Sequence, residues 1–183
     1  MTVDIHSIYY ENTNEPKTIL NNGVVVGSEF ANVYFKEMES ISLLDDFKIN
    51  GEKNKCHLSG NLHTDGHKMT VYDFLVTGNA TLNLSSSDIF IKNTFHSNSA
   101  NVEINPDTSH LHFTGIEGVF SPYSGQSFHK VSFEKIYSDY LMDGDYNQNN
   151  ENPVTFHEVT FFGNGDIEGY NEFENLILNG PRI

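Results

Sequence analysis

The chain has 183 residues, and 25 acidic against 10 basic side chains give it a formal net charge of -15. This length predicts one structural domain, and a single cysteine excludes an internal disulfide. Since no stretch approaches the roughly 18 consecutive apolar residues of a membrane-spanning helix, we expect no membrane insertion. An acidic chain is repelled by phosphate backbones, so nucleic acid is not an expected partner.

The composition favours β-structure. Aromatic residues make up 13% of the chain, and Asn, Ser, Thr, Gly and Val are plentiful. Aromatic and β-branched side chains fit the pleated surface of a sheet, whereas Asn, Ser and Gly form turns. We therefore predict an all-β protein.

The first 69 residues carry the least regular pattern. From Ser28 to Phe47 the apolar residues lie three or four positions apart. This spacing predicts either one amphipathic helix or two short strands.

From residue 70 onward, apolar residues alternate in short bursts that are followed by Gly, Asn, Asp or Ser. Such bursts predict strands of three to five residues, which suit a β-sandwich or a solenoid built from short rungs. Examples are Phe74-Leu75-Val76, Ile89-Phe90-Ile91, Val102-Glu103-Ile104 and Leu111-His112-Phe113.

A repeated frame favours the solenoid. The segment from Phe128 to Phe133 recurs 28 positions later from Phe156 to Phe161, and its apolar frame recurs 17 positions further on from Phe173. Other apolar positions recur at intervals of 20 and 22 residues, which match one coil of a parallel β-helix. We predict a right-handed parallel β-helix; a β-sandwich and a cupin-like jelly roll are the alternatives.

These patterns divide the single domain into two parts. Residues 70–183 are predicted to form the rungs, with an acidic loop inserted at 139–153. An open solenoid end exposes unpaired strand edges, so residues 1–69 are interpreted as an N-terminal cap with the first irregular rungs. Only Asn179 to Ile183 remain to cover the last strand, which indicates end-to-end or homo-oligomeric association.

Three segments carry a family resemblance: residues 79–83, 159–169 and 173–176. They resemble rungs of the right-handed β-helices found in large bacterial surface adhesins and related secreted proteins. The resemblance implies a rigid display surface that is mostly non-catalytic. Polysaccharide lyases and hydrolases share the fold, so the fold does not decide the activity.

The strongest metal-binding pattern is His110-Leu111-His112, followed by Glu117. Positions i and i+2 of a strand point to the same face, so the two imidazoles can converge on one transition-metal ion. The same residues, with Pro106 and Gly125, resemble the first metal motif of the cupins. That resemblance implies that His110, His112 and Glu117 are ligands, although Ile104 stands where the motif expects glycine.

A second pattern lies in the acidic loop. Asp143, Asp145, Asn147 and Asn149 place oxygen-bearing side chains at alternate positions, as at the start of a calcium-binding loop. Gln148 then stands where an EF-hand loop needs glycine. We expect calcium, if it binds, at these four residues.

No nucleophile elbow, phosphate loop or dinucleotide fingerprint occurs in the sequence, so an enzyme is not favoured. We expect a non-catalytic binding or structural module of a bacterial or phage surface protein that contacts carbohydrate or protein through a rung face or loop. The alternatives are a cupin-like metal-dependent enzyme and an acidic intracellular inhibitor that imitates nucleic acid.

Residues 1–10 show no signal peptide. A cell-surface or secreted location is therefore expected if the chain is a piece of a larger protein, and a cytoplasmic one if it is complete.

Overall fold

The computed structural model describes residues 7–10, 17–19, 32–36, 40–49, 53–135, 139–143 and 152–179. These residues form strands, turns and bends, and they include no helix. The strands, numbered in chain order, are β1 (Ser7–Tyr10), β2 (Lys17–Ile19), β3 (Asn32–Phe35), β4 (Ile41–Leu43), β5 (Phe47–Lys48), β6 (Lys55–Leu58), β7 (Asn61–His63), β8 (Met69–Val76), β9 (Thr81–Asn83), β10 (Asp88–Ser97), β11 (Glu103–Asn105), β12 (His110–Phe113), β13 (Glu117–Ser121), β14 (Ser127–Phe133), β15 (Asp139–Asp143), β16 (Val154–Phe161), β17 (Asn164–Glu168) and β18 (Asn171–Leu178).

The strands stack as a β-solenoid of about six turns. The larger sheet has the order β1-β3-β6-β8-β10-β12-β14-β16-β18, and β13, β15 and β17 form a second stack that joins it at β10. A smaller sheet has the order β11-β9-β7-β4-β2. Within the described ranges every strand pair is parallel.

Parallel pairing brings equivalent apolar residues of successive coils into register. One inward column runs through Phe47, Met69, Ile89, Leu111, Val131, Val159 and Leu176. All of these except Leu176 are buried, and each fully buried large apolar side chain contributes about 1.5–3 kcal/mol relative to exposure. The column spans six coils and forms one wall of the core.

The repeated Phe frame is the register of the last three coils. Phe133 stacks on Phe113 and Phe161, with ring centroids 4.9 and 4.4 Å apart. Phe156 stacks in the same way between Phe128 and Phe173. The frame recurs because each ring lies on the ring of the neighbouring coil.

One tight turn is used three times between the smaller sheet and the larger one. In each turn a backbone N–H donates to the carbonyl three residues earlier: His67 to Thr64, Ser87 to Leu84, and Ser109 to Pro106. Asp65, Ser85 and Asp107 adopt positive φ there, at 50°, 49° and 45°, which short polar side chains tolerate. The second and third of these turns end immediately before Asp88 and His110.

The structure confirms the all-β prediction and the β-solenoid. The β-sandwich and the cupin-like jelly roll are wrong, because both are built from antiparallel strands. The helical interpretation of residues 28–47 is also wrong for the described residues, which form β3, β4 and β5.

The two-part division of the chain stays a prediction. Residues 55–69 already contribute rung strands β6 and β7 and the start of β8, while most of residues 1–31 lie outside the described ranges. Of the predicted acidic loop, residues 139–143 form β15 and residues 144–151 are not described. No helix long and apolar enough to cross a bilayer occurs in the described part of the chain.

Replacing Phe133 by alanine should destabilise the fold strongly. Phe133 is fully buried between two rings, and truncation of such a side chain costs about 3–5 kcal/mol. Phe162→Ala is the matched control, because Phe162 is 39% exposed and surface changes stay within about 0.5 kcal/mol. Urea unfolding followed by circular dichroism measures both, and equal losses in the two variants would contradict the assigned register.

Candidate functional site

The outward face of β10, β12 and β14 carries a cluster of ionisable side chains. Asp88 lies in register with His110, and His112 lies in register with Ser132. His110 and His112 are two positions apart on β12, so they share this face, and their ring centroids are 3.6 Å apart. We call Asp88, His110, His112, Ser132 and Glu134 the histidine cluster.

His112 lies between two carboxylates from different coils. Its Nε2 is 3.3 Å from Oδ1 of Asp88, and its Nδ1 is 2.5 Å from Oε1 of Glu134. The imidazole also stacks on the Phe90 ring, with centroids 4.6 Å apart and planes 12° from parallel. These contacts leave the His112 side chain only 14% exposed, whereas that of Asp88 is 45% exposed.

His110 is held as a neutral imidazole. Its Nε2 lies 2.9 Å from the Ser132 hydroxyl oxygen. Burial lowers the pKa of His110 to about 4, and the neighbouring His112 and Lys130 lower it further. The Lys130 ammonium forms an ion pair with Glu158, with 2.5 Å between Nζ and Oε1, and this hydrogen bond lowers the pKa of Glu158.

Three residues of the cluster can each direct one ligand atom toward a common ion. Among the described residues, Asp88, His110 and His112 form one group whose potential ligand atoms lie within 4.8 Å of one another. Glu117 is not in this group: it is exposed on β13, in register with Asp139, and lines a recess with Tyr72. The structure thus brings together His110 and His112 of the predicted set and adds Asp88.

The predicted calcium ligands lie mostly outside the described residues. Asp143 ends β15, where it is in register with Glu168 of β17. Asp145, Asn147 and Asn149 fall within residues 144–151, which the structure does not describe. Calcium binding there stays a prediction.

A groove of about 370 Å³ runs across β14, β16 and β18. Within it, the hydroxyls of Ser127 and Thr155 are 2.7 Å apart, and the imidazoles of His129 and His157 stack with centroids 4.7 Å apart. Of the described residues that line it, none is Lys or Arg. The lining side chains of these strands are Ser127, Phe128, His129, Thr155, Phe156, His157, Glu172, Phe173 and Glu174, and Pro106 and Asp107 complete it.

The groove presents hydrogen-bonding groups in rows. His157 Nδ1 is 2.6 Å from Oε2 of Glu174, so a carboxylate orients this imidazole. Adjacent strands of a sheet are about 4.8 Å apart, and the rows therefore repeat regularly along the solenoid axis. Hydroxyls, imidazoles and carboxylates in such rows can bind a ligand that offers several hydroxyl groups.

Sequence reasoning missed Asp88 and Glu134 as members of the histidine cluster. Asp88 precedes His110 by 22 positions, and Glu134 follows His112 by 22 positions. This interval is one coil, so the coil period applied to His110 and His112 would have identified both carboxylates. The groove carried no comparable signal, because its residues come from intervals of 28 and 17 positions.

Searches of protein-family models, curated proteins and solved structures return no match for this chain. The class of protein defined by the structure is therefore the β-solenoid, and the adhesin resemblance has no support from these comparisons.

The low pKa of His110 predicts a pH-dependent stability in metal-free protein. An unfolded histidine takes up its proton near pH 6.5, whereas folded His110 does so only near pH 4. The unfolded state therefore binds more protons between these values, and the free energy of unfolding must fall as the pH drops through this window. His110→Gln should lose less stability than the unmodified protein over the same window in urea unfolding.

Nuclear magnetic resonance titration of the His110 ring protons provides the direct measurement. We expect a midpoint near pH 4; a midpoint at or above 6.5 would contradict the buried, neutral state of this imidazole.

Proposed function

We propose that the protein is a non-catalytic binding module of a bacterial or phage surface protein that holds a neutral polysaccharide in the groove across β14, β16 and β18. The observation that carries this proposal is the groove lining, which is rich in hydroxyl, imidazole and carboxylate groups and has no described cationic side chain. Such groups donate to and accept from sugar hydroxyls.

The size and rigidity of the groove support this assignment. Its volume of about 370 Å³ falls in the range of sites that enclose a small ligand or a few units of a longer one. The groove floor consists of sheet strands whose Phe128 and Phe156 rings stack in the core. A preorganised surface loses little conformational entropy when it binds.

The charge of the protein selects among polysaccharides. A net charge of -15 together with the Glu172 and Glu174 carboxylates in the groove repels acidic sugars. Sulfated and uronic-acid chains are consequently disfavoured, and neutral chains are the expected ligands.

The test is binding of a polysaccharide panel to the protein, followed by titration calorimetry with the best neutral ligand. Thr155→Val removes one groove hydroxyl with little change of shape and should weaken binding roughly 3- to 10-fold, the loss expected for one hydrogen bond. Thr81→Val is the matched control, because Thr81 lies on β9, outside the groove. The bound polysaccharide should keep its chain length.

Three outcomes would reject the proposal: no neutral polysaccharide binds, acidic polysaccharides bind more tightly, or Thr81→Val weakens binding as much as Thr155→Val. Shortening of the polysaccharide would replace the binding module with a glycan-cleaving enzyme.

A second candidate function is self-association through the last coil. Of the eight exposed large apolar side chains among the described residues, six lie between residues 162 and 178. Leu178 is 69% exposed and Leu176 is 42% exposed, and β18 forms the edge of the larger sheet. We propose that a second copy of the chain covers this edge, because exposed apolar surface and unpaired strand edges favour association.

Sedimentation analysis of the protein and of Leu178→Lys tests this association. The unmodified protein should form dimers that strengthen with added salt, because salt screens repulsion between two acidic copies, and Leu178→Lys should be monomeric. Ile116→Lys is the control, since Ile116 is 72% exposed on another part of the surface. A protein that stays monomeric at every concentration and salt level would rule the dimer out.

A further inference from the structure

We propose that Asp88, His110 and His112 form a binding site for one Zn²⁺ ion on the outward face of β10 and β12. The site is separate from the polysaccharide groove and independent of the function proposed above. It differs from the set indicated by sequence, because Asp88 takes the position that the cupin resemblance gave to Glu117.

The hydrogen bonds of His112 leave a lone pair directed at Asp88. Nδ1 lies 2.5 Å from the Glu134 carboxylate, a distance at which this nitrogen carries the proton and donates it. In a neutral imidazole the other nitrogen, Nε2, is then an acceptor. It lies 3.3 Å from Oδ1 of Asp88, which is also an acceptor, so a cation between these two atoms would satisfy both.

The distance between these acceptors matches two ligands of one zinc ion. Zinc lies about 2.0–2.1 Å from an imidazole nitrogen and about 2.0–2.2 Å from a carboxylate oxygen. With bonds of that length, atoms 3.3 Å apart subtend an angle of about 105° at the metal. This value is close to the tetrahedral angle that zinc prefers.

His110 supplies the third ligand with little rearrangement. Its potential ligand atom lies within 4.8 Å of those of Asp88 and His112, and β12 presents both histidines to the same face. The Ser132 hydroxyl, 2.9 Å from Nε2, fixes the ring orientation. The nearest register neighbour on the next coil, Lys130, is paired with Glu158, which partly offsets its repulsion of a cation.

Glu134 acts as a positioning residue for the metal ligand. Metal-binding histidines commonly donate their second N–H to a carboxylate, which fixes the tautomer and raises the basicity of the ligating nitrogen. The contact between Glu134 and His112 has this form. It comes from the coil after β12, whereas Asp88 comes from the coil before it, so the site depends on three successive coils.

The donor set selects the ion. Two imidazoles and one carboxylate suit zinc and similar first-row divalent ions, whereas calcium and magnesium prefer oxygen ligands alone. Asp88 is 45% exposed, so the fourth tetrahedral position is accessible to water.

The experiment is calorimetric titration of tag-free, chelator-treated protein with ZnCl₂. We expect one zinc ion per chain and a rise in the thermal midpoint on saturation, because the ion binds the folded state. Titration with CoCl₂ provides a second readout, since Co²⁺ in a tetrahedral site gives intense visible absorption. Asp88→Asn and His112→Gln should each abolish stoichiometric binding.

Two further variants distinguish a built site from general histidine affinity. Glu134→Gln should retain one ion per chain but weaken its binding by about 10-fold or more. His157→Gln is the matched control, because His157 also contacts a carboxylate, Glu174, through Nδ1 but belongs to no group of potential metal ligands among the described residues. It should bind zinc like the unmodified protein.

The proposal is overturned if zinc fails to bind stoichiometrically, or if His157→Gln weakens binding as much as His112→Gln. It is also overturned if Asp88→Asn and His112→Gln, shown by circular dichroism to be folded, bind zinc normally. Polysaccharide binding plays no part in these measurements, so the two proposals fail separately.

Discussion

The structure depends on direct stacking of each residue on its equivalent in the next coil. Parallel pairing in register makes this stacking unavoidable: Phe133 lies between Phe113 and Phe161 because β14 lies between β12 and β16. An inward position must therefore be apolar in every coil, or it would expose a neighbour to a buried polar group without a partner. The continuous core follows from this single constraint.

The same constraint arranges the outward side chains into rows. The amides of Asn83 and Asn105 hydrogen-bond at 2.9 Å, and those of Asn79 and Asn101 at 3.0 Å. Amides suit such rows, since each side chain both donates and accepts. Like charges are less easily stacked, because adjacent strands lie only about 4.8 Å apart.

The histidine cluster shows how an acidic protein accommodates its charge under this constraint. The outward row through Asp88 continues with His110, Lys130 and Glu158, so acidic and basic groups neighbour one another along the axis. The net charge of -15 is thus locally compensated on this face. Ligand-binding groups arise where a row places different donor types side by side, as it does here and in the groove across β14, β16 and β18.

The amino-acid sequence by itself determined the all-β class, the coil repeat and the shared face of His110 and His112, because strand periodicity and recurrence are local properties. Only the tertiary structure decided that Asp88 and Glu134 flank these histidines and that Glu117 lies on β13. The coil length varies among 17, 20, 22 and 28 residues, so the neighbour of an outward side chain is known only once the strands are paired. Turns absorb these differences in length, and their conformation sets which residue of one coil lies on which residue of the next.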